Sequence, residues 1–289
     1  MMYPNSIEDI RRILLSINIK ETARLIKEFI RDYFERAGAE KAIIGVSGGV
    51  DSSATLMLTR CALGKDAILA LIMPHEGITP EEDVQDALEI VKLANVEYKM
   101  INIDRISMNI KSIIENTGIS LNRMAYGNII ARSRMIVLYA FANTLRGIVV
   151  GTGDKSEIIL GYYTKYGDGG VDILPIGDVY KSQVRILAKH VGVPEKIAMK
   201  PSSPRLWAGQ TAAEELGADY IEIDPILFAL FELGMKINDI LSLKGIRKEL
   251  VYALLKRIKV NEHKRMFARI PKIHKGPTIG IDWKFTIWR

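Results

Sequence analysis

The sequence predicts an α/β fold in which a doubly wound, Rossmann-like parallel β-sheet is flanked by helices and followed by a helical C-terminal extension. Short branched apolar runs alternate with longer helical segments in the first half of the chain, which is typical of parallel strands with crossover helices. Ser47, the Met73-Pro74 corner and Thr152 fall at the carboxyl ends of three such runs. Doubly wound sheets bind their ligands beyond these ends.

The first half supplies the sheet and most of its helices. Strands are predicted at residues 42–46, 67–73, 98–103 and 148–151, and helices at residues 21–37, 52–63, 79–93 and about 121–145. Gly38 ends the first helix, and Ser52 is expected to cap the second. Thr79-Pro80-Glu81-Glu82 predicts the start of the third, with a capping box and proline in the first turn.

The second half is less regular. Residues 162–178 are rich in Gly and Asp and predict a long ordered loop, which inside a compact domain is usually functional. Helices are predicted at residues 180–191, 225–233, 237–241 and 246–260. With no repeat or flexible linker, we expect one domain over residues 1–289, with a core at about 20–200 and a helical part at about 201–289.

Composition limits the class of protein. The 289 residues are 48% hydrophobic and 26% charged, which predicts a soluble chain with a sizeable core. No apolar run approaches a membrane span and the N-terminus lacks a secretory signal, so we expect no membrane partner. A single cysteine, Cys61, indicates the reducing cytoplasm and is expected to be a small core residue. The net charge of +6 suits nucleic acid or small polyanions such as ATP.

One strand leads directly into a loop suited to phosphates: Lys41-Ala42-Ile43-Ile44-Gly45-Val46-Ser47-Gly48-Gly49-Val50-Asp51-Ser52-Ser53. Gly48 and Gly49 allow a sharp turn and a close approach of the backbone to a ligand. The amides at the start of the next helix favour an anion, and Asp51 adds a negative charge that is explained by a bound cation. No lysine follows the glycines, so this is not a Walker loop. It resembles the pyrophosphate-binding loop of the ATP pyrophosphatases; glycines that serve tight packing alone are the plainer alternative.

A second group of polar residues follows the fourth predicted strand. Thr152 can donate to a nucleotide, and Glu157 can supply a second hard oxygen ligand for magnesium. Lys165 is a point charge for phosphate, and Asp172 can accept from a ribose or an amide. Each residue alone also has a structural explanation, as a helix-start acid or a solvated loop charge. Their occurrence in order within a Gly- and Asp-rich segment favours a binding site.

Four segments together resemble the NAD synthetase family, in the family's order and over nearly the whole chain: residues 47–53, Gly127-Asn128-Ile129-Ile130-Ala131-Arg132-Ser133-Arg134-Met135, Thr164-Lys165-Tyr166-Gly167-Asp168-Gly169-Gly170-Val171-Asp172 and Glu262-His263-Lys264-Arg265. The loop by itself identifies only the ATP pyrophosphatase group. The third and fourth segments narrow the resemblance to this family. Gly151-Thr152-Gly153-Asp154 looks more like archaeal members than bacterial ones.

The resemblance implies a role for each matching position. The residues implied to bind ATP are Gly45, Val46, Ser47, Gly48, Gly49, Val50, Asp51, Ser52, Thr152, Lys181 and Ser203. Those implied to bind deamido-NAD are Arg132, Lys165, Asp172, His263 and Lys264. Asp51 and Glu157 are implied magnesium ligands and, with Lys181, the catalytic residues. Arg134 and Ser202 remain alternatives to Arg132 and Ser203.

The family's reaction is the last step of NAD biosynthesis. The nicotinate carboxylate of deamido-NAD attacks the α-phosphorus of ATP, pyrophosphate leaves, and ammonia then displaces AMP. The first step joins two anions, so charge neutralisation is the expected contribution of the protein. The motifs begin by residue 45, which leaves no room upstream for the amidase domain of glutamine-using members, so we expect ammonia as the substrate. The resemblance also implies a homodimer and no nucleic-acid partner.

Two other classes of function stay open on the sequence. A tRNA-modifying ligase could share the ATP loop, and the charge of +6 suits RNA. That reading predicts aromatic residues interleaved with a basic face. A non-catalytic nucleotide sensor could also share the loop, but it leaves Glu157 and residues 165–172 unexplained.

Overall fold

A four-stranded parallel sheet lies at the centre of the computed structural model, which describes residues 4–266 and 268–275. Its strands are β1 (Lys41–Gly45), β2 (Ile68–Ile72), β3 (Glu97–Met100) and β4 (Gly147–Val149). They lie in the order β3-β2-β1-β4, and Ile43 of β1 pairs with Leu69 of β2 on one side and Val149 of β4 on the other. The order reverses between β1 and β4, so the doubly wound parallel sheet is confirmed.

The described residues contain thirteen α-helices, which alternate with the strands at first and then follow them. In chain order they are α1 (Ile7–Leu15), α2 (Ile19–Ala37), α3 (Val50–Leu63), α4 (Glu81–Ala94), α5 (Asp104–Glu115), α6 (Arg123–Thr144), α7 (Lys155–Leu160), α8 (Lys181–His190), α9 (Glu195–Ala198), α10 (Ala212–Leu216), α11 (Tyr220–Phe231), α12 (Ile237–Leu241) and α13 (Lys248–Val260). None of them is both long enough and apolar enough to cross a bilayer.

Helices cover both faces of the sheet. Successive strand residues point to opposite faces and therefore join different apolar clusters. Ala42 and Ile44 of β1 belong to an apolar cluster that includes side chains from α2, α3, α4 and α8. Ile43, between them, belongs to a second cluster with Ile130 of α6 on the other face. All three β1 residues are fully buried. The continuous apolar pattern of this strand therefore reflects helices on both faces.

A third apolar cluster joins the two ends of the chain. Ile10 and Leu14 of α1 pack with Tyr220 and Ile223 of α11, and Leu160 of α7 belongs to the same cluster. The expected C-terminal helical part thus packs against the N-terminal helix α1 as well as against α7. Residues 276–289 of that expected part lie outside the described residues. The division into a core and a C-terminal part remains a prediction.

Two of the expected helix starts are wrong. Gly49 is the N-cap of α3, and Ser52 lies in its first turn, where its hydroxyl closes the preceding loop. Pro80 is the N-cap of α4 with no side-chain cap, because the Thr79 hydroxyl accepts a hydrogen bond from the His75 amide instead. The hydroxyls of Ser52 and Thr79 therefore stabilise loops and do not cap the helices that follow.

The start of a third helix also differs from the sequence prediction. Helix α11 begins at Tyr220, and Pro225 lies inside it, whereas the sequence suggested a start at proline. Proline leaves the carbonyl four residues earlier without its usual donor. That carbonyl, of Ile221, accepts a hydrogen bond from Arg11 Nε at 3.2 Å. A contact with α1 therefore satisfies the group that proline leaves unpaired.

Other differences concern short elements and one side chain. Strand β3 ends at Met100, three residues earlier than predicted, and helices α1, α5, α7, α9 and α10 had no sequence prediction. The prediction that Cys61 is a core residue is wrong, since it is exposed on α3. Leu56 and Leu58 of the same helix are fully buried. Cys61 lies in the last turn of α3, where the helix is no longer covered by its neighbours.

Candidate active site

A cavity of about 590 Å³ opens at the carboxyl ends of β1 and β4, where the strand order reverses. Ligand sites in doubly wound sheets occur at this position. Most of the sequence-predicted site residues line it: Gly45, Val46, Ser47, Gly49, Val50, Asp51, Ser52, Arg132, Thr152, Glu157, Lys165, Ser203, His263 and Lys264. Gly48, Asp172 and Lys181 do not. The structure therefore brings together residues that the sequence separates by more than two hundred positions.

The loop between β1 and α3 is held by its own serines. The Ser47 amide donates to Ser52 Oγ at 3.2 Å, and that hydroxyl donates to the Gly49 carbonyl at 3.2 Å. Since Gly49 offers no capping side chain, the first amides of α3 stay available for an anion at the cavity wall. The loop geometry fits the phosphates of a nucleotide.

Gly48 explains why the loop needs glycine behind the cavity. Its φ is +79°, a left-handed conformation that other residues adopt at a cost. A Cβ here would lie 2.2 Å from the Asp83 carbonyl oxygen on α4. Gly48 therefore lets the loop pack directly against the backbone of α4.

Lys181 is surrounded by three carboxylates below the loop. Its Nζ lies 2.6 Å from Asp51 Oδ2, 2.8 Å from Asp154 Oδ2 and 2.8 Å from Glu157 Oε1. Lys181 and Asp154 are fully buried, whereas Asp51 and Glu157 reach the cavity. We call these four residues the acidic cluster. It confirms that Asp51 and Glu157 meet in space, as the sequence predicted.

Asp154 is the member that the sequence reading missed. It is the N-cap of α7, accepts a hydrogen bond from the Glu157 amide at 2.8 Å and forms a capping box with that residue. Its position three residues before Glu157, directly after a strand, was a signal for this contact. The same carboxylate both starts the helix and contacts Lys181.

Burial sets the protonation of the acidic cluster. Burial raises the pKa of Glu157 to about 7, although the neighbouring Lys181 opposes the shift. Burial also raises the pKa of Asp154 well above its usual range. For Lys181 burial alone favours the neutral amine, but Asp154, Asp51 and Glu157 together raise its pKa well above the usual value. The three carboxylates therefore favour the charged form of Lys181.

The acidic cluster also fits a divalent cation. One oxygen each from Asp51, Asp154 and Glu157 lie within 4.8 Å of one another. Asp51 Oδ1 is buried without a hydrogen-bond partner, a state that is costly for a carboxylate oxygen. Hard carboxylate oxygens are the ligands that Mg²⁺ prefers, usually together with substrate phosphates. The donor set thus suits a metal that bridges the protein and a nucleotide.

Cationic side chains near the C-terminal end of α7 also line the cavity. Lys165 Nζ donates to the His263 carbonyl at 2.8 Å, and Lys264 Nζ donates to the carbonyls of Gly161 and Tyr163, each at 2.7 Å. Burial lowers the pKa of Lys264, to which nearby Arg257 also contributes. These contacts hold the C-terminal Glu262–Lys264 turn against the loop after α7. The cavity wall therefore contains both the acidic cluster and cationic side chains.

The two arginines of the α6 motif occupy different positions. Arg132 is exposed and donates to the Lys165 carbonyl through Nε and Nη2, both at 3.3 Å. Arg134 is more deeply placed and donates from Nε to the Met73 carbonyl at the end of β2. Burial lowers the pKa of Arg134 to about 10. Since both line the cavity, the choice between them as ligand contacts stays open.

The hydroxyls of Ser202 and Ser203 also differ. Ser203 Oγ donates to the Gln210 carbonyl at 2.5 Å and accepts from the Arg205 amide at 3.2 Å. Ser202 Oγ is buried with no hydrogen-bond partner. Both residues line the cavity. The free hydroxyl makes Ser202 as good a candidate for the nucleotide contact as the predicted Ser203.

Asp172 has partners of its own. It accepts a hydrogen bond from the Val149 amide at 2.7 Å and another from the Tyr139 hydroxyl at 3.0 Å. Its carboxylate joins β4 to the loop that follows α7 and lies outside the cavity wall of this single chain. Its predicted contact with deamido-NAD remains a prediction.

The sheet, the loop at its switch point and the acidic cluster below that loop define the class of the protein. They are the parts of a pyrophosphate-loop, ATP-using enzyme of the ATP pyrophosphatase class. The NAD synthase family model matches residues 22–268, and the chain belongs to the NAD synthase family.

Curated relatives match over almost their full length. The NH(3)-dependent NAD(+) synthetase of Hyperthermus butylicus is 48% identical over 276 residues, covering 96% of this chain and 95% of that one. The enzyme of the same name from Saccharolobus solfataricus is 46% identical over 273 residues, covering 94% and 95%.

Solved structures resemble the fold to a similar extent. An NMN synthetase from Francisella tularensis has a TM-score of 0.78 and 32% identity, and an NH3-dependent NAD synthetase from Campylobacter jejuni has 0.73 and 28%. Each comparison covers 89% of this chain and 100% of the other. A glutamine-dependent NAD+ synthetase from Acinetobacter baumannii matches 92% of this chain but only 48% of its own, with a TM-score of 0.63 and 30% identity.

Proposed function

We propose that the chain is an ammonia-dependent NAD synthetase, a ligase that uses ATP to convert deamido-NAD to NAD and releases AMP and pyrophosphate. Membership of the NAD synthase family and relatives of that name support the activity. The observation that carries the proposal is one cavity whose wall contains the phosphate loop, the acidic cluster and the cationic side chains of Lys165 and Lys264. Two nucleotides are needed, and the loop suits the phosphates of one while these lysines suit those of the other.

The first step forms an acyl-adenylate from two anions. The nicotinate carboxylate attacks the α-phosphorus of ATP. The anhydride bond between the α- and β-phosphates breaks, and pyrophosphate leaves. The amides of the loop would offset the charge that develops on the leaving pyrophosphate, and the buried cation Lys181 would offset the negative charge of the carboxylates below the loop. Mg²⁺ held by Asp51, Asp154 and Glu157 would supply further charge neutralisation on the ATP phosphates. Lys165 and Arg132 or Arg134 would hold the second nucleotide in line.

The second step needs no nucleophile from the protein. Ammonia attacks the adenylated carbonyl and AMP leaves, because the adenylate is a far better leaving group than oxide. Cys61, the only cysteine of the sequence, is exposed on α3 and does not line the cavity. A covalent thiol intermediate has no support.

We also propose one NAD synthetase domain that works as a homodimer in the cytoplasm. Exposed apolar side chains on α2 and α6 support a second copy, with Phe29 45% and Ile136 52% exposed. Sedimentation velocity tests the dimer, and a purely monomeric species at micromolar concentration would contradict it.

The activity is tested with the purified chain, ATP, MgCl₂ and ammonium chloride. Deamido-NAD, nicotinic acid mononucleotide and transcript tRNA are offered separately, and pyrophosphate and the amidated product are measured. We expect pyrophosphate and NAD with deamido-NAD. Product from the mononucleotide alone would favour the activity named for the Francisella tularensis neighbour. Turnover with tRNA alone would favour an RNA-modifying ligase, and no turnover a sensor.

The nitrogen source is tested in the same assay. Glutamine replaces ammonium at equal nitrogen, and we expect no NAD above the background from contaminating ammonia. Equal rates with the two nitrogen donors would refute ammonia dependence.

A further inference from the structure

One buried carboxylate outside the cavity connects to the acidic cluster from behind. Asp224 lies on α11 and is fully buried. Its Oδ1 accepts a hydrogen bond from Ser156 Oγ at 2.7 Å. Its Oδ2 accepts two from Ser182, the amide at 2.7 Å and the hydroxyl at 2.5 Å. Both oxygens of Asp224 are therefore satisfied, although no ion pair joins them to a Lys or Arg in the part of the chain that the structure describes.

Each serine is the neighbour of a cluster residue. Ser156 precedes Glu157 in the first turn of α7, and Ser182 follows Lys181 at the start of α8. The Ser156 hydroxyl also accepts a hydrogen bond from the Lys181 amide at 3.0 Å. Asp224 therefore bridges the starts of the two helices that carry Glu157 and Lys181.

The distances in the acidic cluster depend on this bridge. Lys181 Nζ reaches Asp51, Asp154 and Glu157 at 2.6–2.8 Å only while the starts of α7 and α8 keep their spacing. A buried carboxylate is costly, and an apolar side chain of similar size often gives an equally stable core. Stability alone thus does not explain an acid here. A misplacement of about 1 Å in reacting groups can cost about a hundredfold in rate.

We propose that Asp224 is a positioning residue for the adenylation step: it holds the starts of α7 and α8 together so that Glu157 and Lys181 stay in register with Asp51. The inference rests on the proposed function for its activity readout. The inference concerns binding of ATP as well, because the acidic cluster lies below the phosphate loop.

A matched control exists on the same helix. Asp219, the N-cap of α11, accepts hydrogen bonds from Arg185 of α8 at 3.0 and 3.2 Å but has no hydrogen bond to Ser156 or Ser182. It therefore joins the same pair of helices, α11 and α8, without touching the start of either cluster helix. Asp219→Ala reports the cost of loosening α11 in general.

The first experiment compares Asp224→Ala, Asp224→Asn and Asp219→Ala at pH 8 with saturating MgCl₂. For Asp224→Ala we expect kcat to fall about 10- to 100-fold with little change in KM for deamido-NAD. Asn retains an acceptor for the Ser182 amide, so Asp224→Asn should recover part of that loss. Asp219→Ala should keep kcat within about twofold at a similar drop in Tm. Equal losses in Asp219→Ala and Asp224→Ala would overturn the proposal.

A double-mutant cycle separates positioning from folding. In a Glu157→Gln background the loss caused by Asp224→Ala should shrink to about twofold, since the group that it positions is already removed. If the two losses simply multiply, Asp224 does not act through Glu157 and the proposal fails.

Calorimetric titration with ATP and Mg²⁺ keeps the inference testable even if the wild-type chain makes no NAD. We expect Asp224→Ala to bind ATP about tenfold more weakly than wild type and Asp219→Ala to bind normally. Normal binding by Asp224→Ala would overturn the inference, whereas an inactive wild type would overturn only the proposed function.

Discussion

Lys181 shows how one residue can hold together the carboxylates below the phosphate loop. It is the first residue of α8, fully buried, and its ammonium is the counter-charge for three carboxylates. Breaking a buried ion pair by removing one partner is far more costly than an exposed one, because it leaves charge unpaired in a poorly solvated place. Lys181 and a bound metal would serve the same carboxylates, so each should reduce the need for the other.

Lys181→Met tests this at the residue scale. Without divalent ions we expect a loss of about 3–5 kcal/mol in the free energy of unfolding. MgCl₂ should then raise the Tm of the variant more than that of wild type, since the metal replaces the missing positive charge. Thermal unfolding followed by circular dichroism, in EDTA and in MgCl₂, measures both.

The control for that prediction is Lys155→Met. Lys155 pairs with Asp178 and Glu232 at 2.6 and 2.5 Å, outside the acidic cluster. Its Tm should respond to MgCl₂ as wild type does. An equal magnesium response in Lys181→Met and wild type would refute the shared role of lysine and metal.

At the scale of elements, the segment from 199 to 211 is held over the cavity by α4. This segment contains no helix or strand. Lys200 reaches Asp83 at 2.6 Å and Asp86 at 2.5 Å, and Arg205 reaches Asp83 at 2.6 Å. Asp83 and Asp86 are buried on α4. These ion pairs, more than local sequence, place Ser202 and Ser203 at the cavity wall.

Lys200→Ala should therefore loosen the whole segment. We expect faster amide exchange over residues 199–211 and a KM for ATP raised about tenfold, because the segment must be ordered again on binding. Hydrogen-exchange mass spectrometry and initial rates measure the two effects. Lys196→Ala is the control, since Lys196 also pairs with Asp86 but its side chain is 60% exposed and such pairs contribute little. Similar exchange rates in the two variants would contradict the assignment.

At the scale of the whole molecule, three apolar clusters form the core, and the buried carboxylate of Asp224 lies on a helix of one of them. One lies on each face of the sheet, and the third joins α1 to the C-terminal helices. Asp224 lies on α11, a helix of the third cluster, and bonds to residues at the starts of α7 and α8. Global stability should therefore carry a measurable contribution from its ionisation.

The sign of that contribution follows from the pKa of Asp224. Burial raises it from 3.8 to about 6, although hydrogen bonds from Ser182 and Ser156 and the charge of Lys181 oppose the shift. A raised pKa favours the protonated folded state, so this stabilisation is complete below about pH 4 and is lost as the pH rises to about 6. Relative to wild type, Asp224→Asn should gain up to about 3 kcal/mol between pH 4 and pH 7. Urea unfolding across this range measures the difference, and a constant difference would disprove it.

Local patterns made much of the fold predictable. The apolar run of β1, the glycines after it and the helical spacing of α2 each depend on neighbours within a few residues. Helix starts were wrong where a polar group took another partner. Ser52 and Thr79 hydrogen-bond within their own loops, and the carbonyl that Pro225 leaves unpaired is satisfied by α1. Cys61 shares the helical spacing of buried Ala54 and Leu58, but it lies in the last turn of α3, where burial ends.

The sequence by itself determined the class of fold, and it predicted the phosphate loop and, as metal ligands, the carboxylates of Asp51 and Glu157. The resemblance of ordered segments added the family and the remaining predicted site residues. Only the tertiary structure decided that Asp154 joins these carboxylates, that Lys181 lies among them, and that Asp224 bridges their helices. Asp51 and Lys181 are 130 residues apart in the chain. Such contacts depend on how helices pack across the sheet, and no local pattern encodes that packing.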